Sequence, residues 1–248
     1  MKKLFLCTVV VMVVLTASFI SAEEKDKVSV SVTSLVLSKY IGSAGNLGYD
    51  RPVWQTDIFI SLPKGFYIDL WHSGDLRHGL GSQEYGNEID YAVGWAPIFK
   101  WGQIDAGVVF IDEPNLFRFR SQEDYLMPFA EVRRTFDVGK GHTLSPYFRA
   151  ELILPVKMDW EGRDDRYYFG TRHQFKVAPW LTLNNNLAIV HGRVNEGVIG
   201  KYDLFANWPI TKKVSLIAPA IKTALPLASV AEGHHSEVAV GAGVTINF

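Results

Sequence analysis

The segment Val238 to Phe248 alternates almost strictly. Val238, Val240, Ala242, Val244, Ile246 and Phe248 fall on one side of an extended chain, and Ala239, Gly241, Gly243, Thr245 and Asn247 fall on the other. A period of two is the signature of a strand with unlike faces. About 9–11 residues are what a tilted strand needs to cross a bilayer. An apolar outer row over a small or polar inner row predicts a transmembrane barrel strand. The pattern recurs, and predicts about twelve strands: 28–38, 52–62, 65–73, 87–96, 101–111, 124–136, 142–154, 165–177, 180–190, 197–208, 213–225 and 236–248.

The joints between these segments alternate in length. Five are short (63–64, 97–100, 137–141, 178–179 and 209–212) and carry Pro, Gly, Lys and Asp, the residues of tight turns. The others, such as 39–51, 74–86, 112–123, 155–164 and 226–235, are longer. Short periplasmic turns opposite longer extracellular loops are the outer-membrane arrangement. The predicted fold is therefore all-β: a transmembrane antiparallel up-and-down β-barrel of about 12 strands. Trp95, Trp101, Trp180 and Trp208 sit beside short turns, and Trp54, Trp71 and Trp160 near long loops, as interfacial belts require.

Parity separates charge from lipid. With Trp54, Thr56, Ile58 and Ile60 outward, Gln55, Asp57 and Phe59 face inward, and the same rule turns Tyr67, Asp69 and Trp71 inward. Charge on the lipid face costs roughly 2–4 kcal/mol at the midplane for Arg or Lys, so inward parity for nearly every mid-strand charge is informative. The candidate channel-lining set is Asp57, Asp69, Glu88, Asp90, Asp105, Glu131, Arg133, Arg149, Glu151, Arg172, Lys201 and Asp203. Strands two to five supply only acids to it. The bases, with Lys176, come from strands six to ten, so two arcs of opposite sign face each other. Such arcs either pair as a salt-bridged plug or set a transverse field across a wet channel. Bulky inward residues (Phe59, Tyr67, Trp71, Tyr125, Phe129, Tyr147, Tyr168 and Phe205) predict a narrow, partly obstructed lumen. Arg118 and Arg120, in a loop mixing arginine with phenylalanine, are the candidate constriction; an external loop is the alternative.

Composition adds boundaries. Lys2 and Lys3 precede an apolar run from Leu4 to Ile20, and Ile20-Ser21-Ala22 suits a cleavage site, which predicts a signal peptide over 1–22 and one barrel domain over 23–248. Its removal takes away two lysines and no acid, so the formal net charge goes from −1 to −3. Nothing basic suggests nucleic acid. The only cysteine, Cys7, lies in the apolar run. No metal or cofactor is expected: adjacent His234 and His235 point apart in extended chain.

Several segments resemble a known family. Ser38-Lys39-Tyr40, Arg51-Pro52-Val53-Trp54-Gln55, Gly65-Phe66-Tyr67-Ile68-Asp69-Leu70-Trp71-His72-Ser73, Asn87 to Trp95 and Ile104 to Val108 resemble the TorF family of outer-membrane porins over roughly residues 30–112. The first loop departs from the family pattern at Tyr40-Ile41-Gly42. The resemblance implies a barrel and a pore, with no catalytic set.

The expected function is a porin-like channel in the bacterial outer membrane for passive diffusion of small polar or charged solutes. Its expected partners are outer-membrane lipid, small solutes and, through the C-terminal strand and Phe248, the barrel-assembly machinery. Two alternatives are a closed structural or surface-interaction barrel and a rim enzyme built from His72, Asp75, His78, Asp164, Asp165 and His191. A lipid hydrolase would need a Ser–His pair on the lipid face, where His173 has outward parity but no serine near it.

Overall fold

In the computed structural model the described residues are 27–43, 47–77, 87–112, 124–156, 164–192, 197–228 and 235–248. The candidate signal segment, the loop holding Arg118 and Arg120, Trp160, His78 and His234 lie outside them. Twelve long strands form the wall. They are β1 (Ser29–Leu37), β2 (Val53–Ser61), β3 (Phe66–Asp75), β4 (Glu88–Trp95), β5 (Gly102–Asp112) and β6 (Tyr125–Arg133), then β7 (His142–Pro155), β8 (Asp164–Ala178), β9 (Leu181–Gly192), β10 (Gly197–Pro209), β11 (Val214–Ala228) and β12 (Glu237–Asn247). Each pairs antiparallel with the next, and β1 pairs antiparallel with β12, so the sheet is a closed barrel. The predicted strand number holds.

Boundaries differ locally. The sixth segment, predicted to run to residue 136, ends at Arg133, and Phe136–Gly139 forms a short extension against the start of β7. Pro146, on β7, has no N–H to give there, though its carbonyl accepts from Arg134 N at 3.2 Å. Ile98–Phe99 likewise forms a two-residue bridge to the foot of β5.

The buried side chains of this protein line the inside of the wall. Val36, Val93, Phe169, Leu187, Leu225 and Val240 are exposed apolar residues on the outside. In water they would be a liability; against hydrocarbon they are the required surface. Inside, Tyr67, Tyr147 and Tyr168 are buried beside Glu131, Glu151 and Asp203.

Two tyrosines repeat one device. Tyr67 on β3 is paired with Gly94 on β4, and its ring occupies the space that a Cβ there would fill; its hydroxyl donates to Asp105 on β5 at 2.9 Å. Tyr147 on β7 lies over Gly170 on β8 in the same manner and donates to Asn186 on β9 at 3.0 Å. Each tyrosine thus ties three strands and covers backbone that glycine leaves bare.

The seam between β1 and β12 also depends on glycine. Leu35 pairs with Gly243 and Leu37 with Gly241. A Cβ on Gly241 would collide with the Val36 carbonyl, and one on Gly243 with the Ser34 carbonyl. The leucine side chains fill the space instead, Leu37 Cδ2 lying 2.8 Å from the position of a Gly241 Cβ. Gly241→Val is expected to destabilise the barrel by about 1–3 kcal/mol through overpacking. The fraction of folded, heat-modifiable protein on unheated gels and the urea midpoint both measure it; an unchanged midpoint would contradict the seam geometry.

Candidate functional site

The site is the lumen, and its upper part is partly filled by the chain's own first loop. Tyr40–Ile41 pairs with Leu47–Tyr49 as a small hairpin that turns inward. Tyr40 and Tyr49 pack with Leu37, Val53, Ile217 and Ala220, and Tyr40 meets the Trp71 ring at 5.6 Å. Ile41 packs with Ile199, Ala224 and Ala239. Hydroxyls fix the hairpin to the wall: Tyr40 donates to Glu88 at 2.6 Å and Tyr49 to Asp75 at 3.1 Å. At its base Lys39 reaches Asp50 at 2.8 Å and Glu237 at 2.7 Å. Those two hydrogen-bonded carboxylates, Asp50 first, raise the Lys39 pKa above the usual lysine value of 10.5. The latch therefore keeps its positive charge up to and past that pH, and loses it only above. Among the described residues the inward segment is this loop; the sequence candidates Arg118 and Arg120 lie outside them.

Below and beside the hairpin is a cavity of about 680 Å³. Asp57, Asp69, Glu88 and Asp90 border it on one side, and Arg149, Arg172, Glu151 and Lys201 on the other. A second space of about 450 Å³ leads toward the short turns, past Asp105 and Arg133, with Asp69 and Arg149 bordering both spaces.

The basic side chains are paired within their own part of the wall. Arg172 donates through both terminal nitrogens to Glu131, at 2.7 Å each. Arg133 shares Glu131 at 3.1 Å and reaches Gln103 at 2.8 Å. Arg149 binds Glu151 at 2.7 Å and its guanidinium stands 4.0 Å from the Phe129 ring centre. Lys201 binds Asp203 at 3.2 Å. Tyr168 gives Glu151 a further hydrogen bond at 2.7 Å. Neither expected arrangement, a plug paired across the lumen or two arcs of bare charge, describes this. The bases are held locally by Glu131, Glu151 and Asp203, three acids of the candidate set itself.

The acidic side differs. Asp57 and Asp69 are diagonal neighbours on β2 and β3. Among the described residues no basic side chain pairs with either, and one oxygen of each has no partner. Asp105 is held by Tyr67, and Glu88 by Tyr40.

Two lumenal bases escaped the sequence reading. Arg166 lines the cavity, 3.8 Å from Asp164. Lys222 on β11 also lines it, contacting Gln55 at 3.5 Å. A bulge hides Lys222: Ile217 pairs with Gly243 but Ala220 with Gly241, so β11 holds one extra residue at Ala218–Pro219. Alternation carried up from Leu216 and Ile217 therefore puts Lys222 on the lipid side. The cost of a mid-membrane charge was the signal that could have corrected this.

His78 of the rim-enzyme candidates lies outside the described residues, and the described ones are engaged separately. His72 pairs with Thr56 on the outward row and packs edge-on against Trp54 at 5.7 Å. Asp75 lies on the inward row, engaged by Tyr49. Asp165 accepts from Tyr167 and Asp164 from the Asp165 amide. His173 clusters outside with His142 and Phe175. Among the described residues no group of three metal-ligating side chains converges.

This architecture, a closed twelve-stranded antiparallel barrel with charged side chains inside, is the fold of outer-membrane β-barrels. No protein-family model and no curated protein matches the sequence. Among solved structures the chain is similar to NanC porin (TM-score 0.55, 11% identity, 88% of this chain and 98% of that one). It is similar to KdgM porin (TM-score 0.54, 10% identity, 89% and 99%). It also resembles the COG4313 outer membrane channel from Pseudomonas putida F1 (TM-score 0.53, 9% identity, 93% and 97%).

The shared carboxylate predicts an asymmetric result. Glu131→Ala leaves Arg172 without its carboxylate and Arg133 with Gln103 alone, and is expected to cost about 3 kcal/mol, the low end for a broken buried pair because the Arg172 side chain is 38% exposed. Asp57→Asn removes no ion pair and should shift stability by under about 1 kcal/mol. Urea unfolding of both variants in detergent tests the difference; equal losses would contradict the pairing described.

Proposed function

We propose that the protein is a passive channel of the bacterial outer membrane for small polar or charged solutes, related to the TorF-type porins that residues 30–112 resemble. The observation that carries this reading is the cavity bounded at once by the hairpin, the Asp57–Asp69 side and the Arg149–Arg172 side. A structural plug has no need of charge left unpaired in its interior, because such charge costs stability. In a wet lumen the same charge concentrates counter-ions. The similar folds are named porins and channels, and carrying their role to this chain is part of the proposal.

The channel works without catalysis. The hairpin sets the aperture at the long-loop end, and Asp69 with Arg149 borders the passage between upper and lower spaces. Among the described residues the carboxyls at Asp57 and Asp69 have no basic partner, whereas Arg133, Arg149 and Arg172 are neutralised by neighbours. The unmodified channel is therefore cation-preferring.

Purified protein in a planar bilayer should give stepwise conductance; a silent protein that is shown to be folded and inserted sinks the channel reading. Asp57→Asn with Asp69→Asn should move the reversal potential toward anions, and Arg149→Gln with Arg172→Gln toward cations. A reversal potential indifferent to both pairs would remove these residues from the ion path. Tyr40→Ala with Tyr49→Ala frees the hairpin and should raise unitary conductance and its noise. Unchanged traces would place the aperture elsewhere.

A further inference from the structure

At the short-turn end, on the outside of the wall, two neighbouring turns enclose a groove of about 450 Å³. One wall is the stacked pair Phe99 and Trp101, whose rings lie 5.4 Å apart and 1° from parallel, with Trp95 edge-on to Phe99 at 6.5 Å. The other wall is Phe136, with the Arg134 guanidinium 5.1 Å from its ring centre. Gly102 lies between them, and a Cβ there would stand 2.5 Å from the Arg133 carbonyl oxygen, so the floor is bare backbone. Lys100, in the turn before β5, lines the same groove.

The charges are unbalanced. Asp137 is the acid of the groove, and one of its oxygens accepts from Gly139 N at 2.8 Å, within its own turn. Among the described residues, neither Lys100 nor Arg134 has a carboxylate partner. Trp101 is 50% and Phe136 43% exposed, a large apolar area beside two cations. The groove lies at the level of the Trp95, Trp101, Trp180 and Trp208 belt, where head groups meet acyl chains.

We propose that this groove binds a phospholipid of net negative head group from the adjoining leaflet. Lys100 and Arg134 hold the phosphate, and the aromatic walls hold the first part of an acyl chain over Gly102. Cations near the membrane surface favour anionic lipid, and aromatic rings accept the apolar–polar junction. The inference rests on the membrane-spanning barrel and is independent of conduction.

Native mass spectrometry of the full chain in detergent tests it, with dioleoylphosphatidylglycerol, dioleoylphosphatidylcholine and inorganic phosphate as probes. Retention of phosphatidylglycerol over phosphatidylcholine is expected. Lys100→Gln with Arg134→Gln should weaken that retention by about tenfold or more. Equal retention of the two lipids, or undiminished phosphatidylglycerol binding in the double variant, would overturn the proposal. Displacement of the lipid by an equal concentration of inorganic phosphate would make the groove a free-anion site and overturn it too. If gel mobility shows the double variant unfolded, Lys100→Gln alone, in an exposed turn, should give a smaller loss in the same direction; no loss would overturn the assignment.

Discussion

Everything in this structure depends on the sheet having no edge. In hydrocarbon an unpaired N–H or C=O has no water to bond, and each costs several kcal/mol. The β1–β12 ladder removes that cost for two strands at once, and it forms only because Gly241 and Gly243 let the backbones of Val36 and Ser34 come close. The Leu35 and Leu37 side chains then fold over the bare glycines. Thr33 and Thr245 join across the lower seam at 2.9 Å. Closure also creates the inside as a chemical environment, since it separates an apolar outer row from a row that can hold charge.

Closure leaves an interior that must be filled without being sealed. Tyr67 and Tyr147 lie over Gly94 and Gly170, which thickens the wall where glycine leaves it thin. The arginines are treated similarly. Glu131 draws Arg172 and Arg133 toward the wall, and Phe129 backs Arg149. The hairpin of Tyr40–Ile41 and Leu47–Tyr49 takes up space on the other side. What remains is a cavity, bounded on one side by immobilised guanidinium groups and on the other by an acidic wall in which, among the described residues, Asp57 and Asp69 have no basic partner.

Much of this was legible in the sequence. Period-two alternation gave the strands, because each face meets a different solvent and misplacement is expensive. The same cost assigned Asp57, Asp69, Arg149 and Arg172 to the inside. Pairing was not legible, since it depends on stagger between neighbouring strands. Glu131 meets Arg172 across β7 by virtue of that stagger, although the sequence separates them by 41 positions. The inward hairpin was also invisible: Tyr40-Ile41-Gly42 reads like any loop, and its anchors, Glu88, Asp75 and Glu237, come from three distant strands. Lys222 was lost at the β11 bulge, where alternation breaks.

That bulge has a consequence for how the wall tolerates change. Within an unbroken stretch of ladder, one added residue would turn every side chain beyond it to the wrong solvent, as a shifted reading frame garbles every later codon. At Ala218–Pro219 the extra residue is absorbed on the spot, so Ile217 below and Ala220 above both face inward. Trp208 Nε1 donates to the Ala218 carbonyl at 2.7 Å and satisfies an oxygen the ladder leaves out. The strand thus contains a place where its length is not tied to its facing, a point at which the chain can gain or shed a residue without moving Lys222 into lipid.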